Sequence, residues 1–206
     1  TRSCRKCNPS SSGNSRKPDS PPAVRICVFL SSSEAVPAEY RDLATRMGKG
    51  IGAQGHTLVY GGNGNGLMGA LAEGTRSAGG RVIGIVPRLL HEMGMTWPHC
   101  DELVITRDLR DRKARMDAEA EAFVALPGGL GTYEEILEVL NLKYLRYHRK
   151  PVIFINKNGF YDPLFASFTR LYEERFTKKA IRQLYASLPE VEAVFPYLAT
   201  YVPVQV

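Results

Sequence analysis

The sequence predicts one doubly wound α/β domain, a parallel sheet with helices on both faces. Three observations lead there. Short β-favouring apolar runs alternate with helical stretches from Ala23 onward. Those runs are apolar throughout, not at every second residue, as expected of strands buried on both faces. Two glycine-rich loops each connect a strand to a helix, and strict strand–helix alternation winds helices onto both faces of a parallel sheet. In such folds ligands bind outside the carboxyl ends of the strands.

In chain order, residues 1–22 are rich in Ser, Pro, Asn and basic residues and have no apolar periodicity. They cannot bury enough surface to offset ordering entropy, so they are expected to form a flexible tail, with residues 23–206 as the domain. Residues 24–30 are a β-favouring apolar run, 37–54 a helix and 56–60 the next strand. A glycine loop then opens a helix at 67–78. Residues 81–86, 103–106, 122–126 and 151–155 complete six expected strands. Helices are expected at 109–120, 132–147 and 162–175. A final pair of segments, 179–185 and 191–200, is expected to pack on the outside.

The composition is that of a globular chain: 206 residues, 44% hydrophobic and 23% charged. Disordered, collagenous and fibrous classes are excluded, and 206 residues bury a sizeable core without staples. There is no run of about 18 apolar residues, so no helix is expected to span a membrane. No apolar stretch follows Thr1, so a secretory signal is not expected either. The formal net charge is +6, but the first 22 residues carry +4 of it and the other 184 only +2. The basicity therefore belongs mostly to the tail, and a nucleic-acid partner is not expected. Four cysteines are too few and scattered for a disulfide framework. Cys4 and Cys7 form a lone CxxC with no second pair to complete a zinc site, and Cys27 sits in an apolar run as a small hydrophobe. A reducing, cytoplasmic compartment is the expectation.

The first glycine loop runs Tyr60-Gly61-Gly62-Asn63-Gly64-Asn65-Gly66-Leu67-Met68-Gly69. Gly64, Gly66 and Gly69 satisfy G-x-G-x-x-G, but the loop follows the second strand, and the third ends Val86-Pro87-Arg88 without the acid that holds a ribose diol. A dinucleotide site is therefore disfavoured. Glycine here serves either a tight turn or close approach to a ligand.

The second loop runs Leu126-Pro127-Gly128-Gly129-Leu130-Gly131-Thr132-Tyr133-Glu134-Glu135. Three glycines and a threonine at a helix start make a compact anion site suited to one phosphate. A purely architectural reading stands beside it: Thr132-x-x-Glu135 matches a capping box. A carboxylate one turn beyond a phosphate nest favours a chemical role, because a group acting on an attached sugar would sit there. Ahead of this loop, Leu109, Arg112, Lys113 and Met116 share one helix face, with two cations inside what should be an apolar stripe. Either the stripe faces an anionic pocket, where arginine suits bidentate recognition, or Asp108–Arg112 and Asp111–Arg115 are ordinary i,i+4 surface pairs.

Taken together, Pro127-Gly128-Gly129-x-Gly131-Thr132-x-x-Glu135, Arg112-Lys113, Tyr60-Gly61-Gly62 and Gly66-Leu67-Met68-Gly69 resemble the LONELY GUY family. Its members are cytokinin riboside 5′-monophosphate phosphoribohydrolases, often labelled "possible lysine decarboxylase". The resemblance covers about residues 25–198. It implies a Rossmann-like domain, a homodimer, and hydrolysis of the bond between an adenine-type base and ribose 5-phosphate, with a nucleoside monophosphate substrate and no cofactor or metal. By the same resemblance, Arg112 and Glu135 are the catalytic pair. Gly128, Gly129, Leu130, Gly131 and Thr132 bind phosphate, Lys113 and Glu134 contact substrate, and Met116 lies beside the base or ribose. Ser32 and Gly62 are further substrate-binding positions. Leu30-Ser31-Ser32-Ser33 stands where the family has Cys-Gly-Ser-Ser, Asn63-Gly64-Asn65 where it has Gly-Ser-Ile, Leu109 where a methionine is common, and Asn141 where many plant-type members have threonine.

The chemistry fits these residue types. Cleavage of an N-glycosidic bond passes through an oxocarbenium-like state, which a nearby carboxylate stabilises while it orients or deprotonates water. A held phosphate supplies remote binding energy. Decarboxylation of lysine needs a pyridoxal phosphate and a Schiff-base lysine, and nothing in the sequence singles one out. The four histidines show no ligand spacing. The alternatives are a non-catalytic nucleotide or molybdenum-cofactor carrier of the same fold and, less favoured by charge, a nucleic-acid-binding relative.

Overall fold

The computed structural model describes residues 22–177 and 179–204. The elements are β1 (Arg25–Phe29), α1 (Ala38–Ala53), β2 (Thr57–Tyr60), α2 (Gly66–Ser77), β3 (Arg81–Pro87), α3 (Arg88–Glu92) and β4 (Glu102–Thr106). There follow α4 (Leu109–Glu119), β5 (Ala122–Ala125), α5 (Leu130–Tyr144), β6 (Val152–Ile155), α6 (Asp162–Glu173), β7 (Ala186–Leu188) and α7 (Val194–Ala199). Single 3-10 turns lie at Lys157–Gly159, Lys179–Gln183 and Val191–Ala193. The strands form one parallel sheet in the order β4-β3-β2-β1-β5-β6-β7.

The period of two along each strand divides the core into two layers. In β1, Ile26 and Val28 face one layer, where α1 and α2 bury Leu43, Met47, Leu67 and Leu71. Cys27 and Phe29 face the other, where α4, α5 and α6 bury Met116, Ile136, Leu140 and Phe168. Both sides of the sheet are covered at the inner strands, so their apolar runs needed no polar face, whereas Leu103 and Ile105 on edge strand β4 stay exposed. The doubly wound α/β architecture is the one the sequence predicts.

Winding proceeds from β1 outward to β4, then the chain crosses back to place β5 against the other side of β1, with Ile26 opposite Ala122. The strand order reverses there, and the carboxyl ends of β1 and β5 border the crevice where such folds bind ligands. The loops that leave β2 and β5 are the two glycine loops.

Four differences from expectation have physical causes. β7 has three residues and no apolar run, so nothing in its sequence marks a strand; it is held at the sheet edge by pairing with β6. The segments around it do not lie outside. Ile181 and Leu184 are buried in one layer and Val191 and Val194 in the other, so the chain folds over both faces of the edge strand. Helix α5 starts at Leu130 instead of 132 and ends at Tyr144, because Arg146 takes a left-handed φ of 69°. The five-residue α3 had no periodic signal to reveal it. The expected tail, apart from Pro22, lies outside the described residues. Among the described residues no helix is long and apolar enough to cross a membrane.

Candidate active site

A cavity of about 220 Å³ opens at the β1–β5 crevice. Leu30, Ser31 and Ser32 form its wall where β1 ends, and Gly61 and Met68 close the side toward α2. Arg112 and Met116 enter from α4; Gly129, Gly131, Thr132 and Glu135 enter from the start of α5.

The start of α5 is built differently from a capping box. Gly129 is the N-cap and no side chain caps the helix. The first ladder bond is donated by Tyr133 to the Gly129 carbonyl, at 3.2 Å, which leaves the preceding amides without helical partners. Thr132 lies in the first turn, too late to act as a cap. Its hydroxyl instead packs on Gly128, where an added Cβ would lie 2.1 Å from Thr132 Oγ1. The capping-box expectation is therefore wrong, and Glu135 is engaged elsewhere.

The glycines of the loop separate by cause. Gly128 is glycine because Thr132 fills its side-chain space. At Gly129 and Gly131 a Cβ would meet nothing within 4 Å, and neither has a left-handed φ. The fold does not demand glycine at these two positions. They keep backbone amides at a helix N-terminus open to close approach, the arrangement that suits an anion. Gly62 is the opposite case: its φ is 71°, and a Cβ would meet Val86 Cγ2 at 2.2 Å. It is an architectural residue behind the cleft, and its neighbour Gly61 lines the wall.

Helix α4 starts at Asp108, whose carboxylate accepts from the amides of Arg110 and Asp111, both at 2.9 Å. The i,i+4 pairs expected on this helix are not made. Asp108 caps and pairs with Arg107, Asp111 accepts from the Arg107 amide, and Arg115 pairs with Glu119. Arg112 and Lys113 are thereby left to face α5. Met116 is buried beneath them, whereas Leu109, expected on the same face, is exposed at the helix start.

Arg112 Nη2 donates to Glu135 Oε1, and both side chains are largely buried, at 14% and 11% exposed. Arg112 Nε is buried with no hydrogen-bond partner among the described residues. Burial holds the Glu135 carboxyl above its ordinary range, although Arg112 beside it pulls the other way. Lys113 forms ion pairs with Glu134 and Glu138, which raise its pKa. Two cations of α4 thus meet three carboxylates of α5. Of the expected site residues, Ser32, Arg112, Met116, Gly129, Gly131, Thr132 and Glu135 converge on the cleft. Gly62, Lys113, Gly128, Leu130 and Glu134 border it without lining it, and Leu130 is 89% exposed at its rim.

A family model described as "Possible lysine decarboxylase" matches residues 68–198. The "Probable cytokinin riboside 5′-monophosphate phosphoribohydrolase LOGL9" of Oryza sativa subsp. japonica is 41% identical over 180 residues, covering 87% of this chain and 79% of that one. The cytokinin riboside 5′-monophosphate phosphoribohydrolase LOG2 of Arabidopsis thaliana is 37% identical, covering 87% and 84%. The chain belongs to the LONELY GUY family. Solved structures share the fold at lower identity. The molybdenum cofactor binding protein of Rippkaea orientalis has a TM-score of 0.67 at 21% identity, covering 86% of this chain and 96% of that one. The molybdenum cofactor carrier protein of Chlamydomonas reinhardtii has 0.65 at 20%, covering 87% and 100%.

The positions where this chain departs from the LONELY GUY pattern are also placed. Ser31 and Ser32 line the cleft, and Ser31 Oγ accepts from the Ser33 amide at 3.1 Å, shaping the turn after β1. Asn63 Oδ1 accepts from the Asn65 amide at 2.7 Å, and Asn63 pairs with Thr96, so the first glycine loop is fastened to the segment after α3. Asn141 is exposed on α5. Sequence reasoning missed Gly61, Met68 and Glu138. The last was readable: four residues after Glu134, it shares that residue's helix face. Among the described residues no group of three His, Cys, Asp or Glu side chains is placed to hold a metal.

Proposed function

We propose that this protein hydrolyses the N-glycosidic bond of adenine-type nucleoside 5′-monophosphates, AMP or an N6-modified cytokinin nucleotide, to the free base and ribose 5-phosphate. The observation that carries the reading is the buried Arg112–Glu135 pair one turn beyond a glycine-lined helix start. The amides of residues 128–132 and Arg112 hold the 5′-phosphate. This fixes the sugar so that its anomeric carbon faces Glu135. As charge grows on the sugar ring, the Glu135 carboxylate stabilises it and accepts a proton from the attacking water. A carboxyl held above its ordinary range is a stronger base than a solvent-exposed one, which suits that task.

Met116 and Ser32 contact the nucleoside, and Lys113 and Glu134 act at the outer edge of the cleft. The identity of the LONELY GUY relatives supports the same substrate class. We further propose that residues 23–206 act as one catalytic domain, working as a homodimer in the cytoplasm. Chromatographic detection of adenine released from AMP tests the activity. A purified protein that binds AMP and releases no base would make it a nucleotide carrier. Light scattering tests the dimer, and a monomer mass removes it.

A further inference from the structure

A second cavity, also about 220 Å³, lies between α4 and α5. It shares Phe29 and Glu135 with the first, so the Glu135 side chain stands between the two spaces. Its other walls are unlike those of the first. Ala114, Val139 and Leu142 make an apolar lining, and Lys113, Asp117 and Glu138 supply charge. Glycines and the amides of a helix start are absent from this lining, so nothing in it suits a phosphate.

We propose that this second cavity is the binding site and entry route of the water that the hydrolysis consumes. The inference rests on the hydrolase reading above. A nucleotide seated by its phosphate in the first cavity covers that side of Glu135, and the attacking water needs another approach. A buried water requires two to four polar partners and on the order of 10–15 Å³ of probe-sized space. The second cavity exceeds that space more than tenfold, room for several waters, and offers the Lys113 ammonium and the Asp117, Glu135 and Glu138 carboxylates. Glu135 Oε1 is held by Arg112, while among the described residues no hydrogen bond reaches Oε2, the oxygen left to take a proton.

The step balances without a further reactant. The water oxygen bonds to the anomeric carbon as the carbon–nitrogen bond breaks. That bond's electron pair leaves on the base nitrogen. The water proton passes to Glu135 and is returned to the base, giving neutral base and ribose 5-phosphate.

The test fills the cavity from opposite walls with Ala114→Phe and Leu142→Phe. Ala114→Leu serves as a milder filler should either fail to fold. Adenine release, equilibrium AMP binding and thermal stability are measured on the full chain. The expected result is at least a tenfold fall in kcat that deepens with side-chain volume, with AMP affinity within about twofold of the parent. Wild-type kcat in folded, filled variants overturns the proposal, and so does a loss that follows AMP affinity. A second readout uses methanol as a competing nucleophile, which converts AMP to methyl riboside 5-phosphate. Widening the cavity with Leu142→Ala is expected to raise the methanol-to-water product ratio at least twofold, and an unchanged ratio overturns the route. An unmutated protein that releases no base from any nucleotide would instead refute the hydrolase reading itself.

Discussion

Arg112 and Glu135 lie 23 residues apart, and the guanidinium of the first donates to the carboxylate of the second, tying α4 to α5 across the mouth of the cleft. The same contact orients an acid and a cation toward one space, and the cation opposes the burial that raises the pKa of the carboxyl.

Glu135→Gln keeps the shape of the side chain and removes its charge. Because no capping box depends on Glu135, the start of α5 is expected to survive. The variant is expected to fold and bind AMP but to release adenine on the order of 10²-fold more slowly, the scale of losing a general base. Chromatography beside a thermal melt checks this, and near-parental turnover would remove Glu135 from the chemistry.

If Glu135 is the base proposed above, the acid limb of the parent's pH–rate profile is expected to report the same carboxyl. Its pKa lies above the ordinary 4.5 through burial. The carboxylate required as base is lost as pH falls through that raised value, so kcat should decline with a midpoint above 4.5. A midpoint at or below that value would assign the limb to another group.

Arg112→Ala is expected to weaken AMP binding and turnover together, since the proposed function puts this cation on the ground-state phosphate. It also leaves Glu135 buried without its partner, a loss of about 3–5 kcal/mol when the carboxylate stays charged. Calorimetric AMP titration and denaturant melts separate the two effects, and unchanged AMP affinity would exclude a phosphate contact.

Gly131→Ala and Gly128→Ala should part company. Gly131 is helical with open space around it, so alanine is expected to stabilise by about 0.5–1 kcal/mol while obstructing phosphate and raising KM for AMP. At Gly128 the new methyl meets Thr132 and destabilises the fold. Adenosine, which lacks the phosphate, should be hydrolysed far less efficiently than AMP by the parent. Equal efficiency on both substrates would contradict the anion nest.

Lys143 offers a prediction remote from the cleft. Burial lowers its pKa from 10.5 to about 8, and its ammonium donates to Tyr201 at 3.0 Å. Between those two values the unfolded chain binds the proton that the folded one has lost, so this residue's contribution to stability rises with pH. Lys143→Met should be more stable than the parent at pH 7, an advantage that shrinks from pH 8 to 10.5. A pH-independent difference between variant and parent would refute it.

What the sequence disclosed follows from the range over which each feature is determined. Continuous apolar runs are a local property, and they revealed six strands and the three-layer architecture. β7 was hidden because its pairing with β6, not its three residues, makes it a strand. The convergence of Arg112 with the second glycine loop was legible through the resemblance. The capping box was misread because Thr132 and Glu135 satisfy a spacing rule whose phase depends on where the helix begins, and Gly129 starts it earlier. Spacing could not reveal the cavity behind Glu135, since it is the gap left by two helices distant in sequence.

The pairing of β1 with β5 joins segments 96 residues apart. Strands β1 to β4 follow one another with short crossovers and can associate as the chain is made, but the crevice does not exist until β5 arrives. Contacts of such separation form after costly loop closure, which slows folding. The cleft is therefore assembled late during synthesis, and a chain released before residue 126 would have a partial sheet, an exposed β1 edge and no hydrolytic site. Such fragments would be substrates for chaperones and proteases and would contribute no stray nucleotide-cleaving activity.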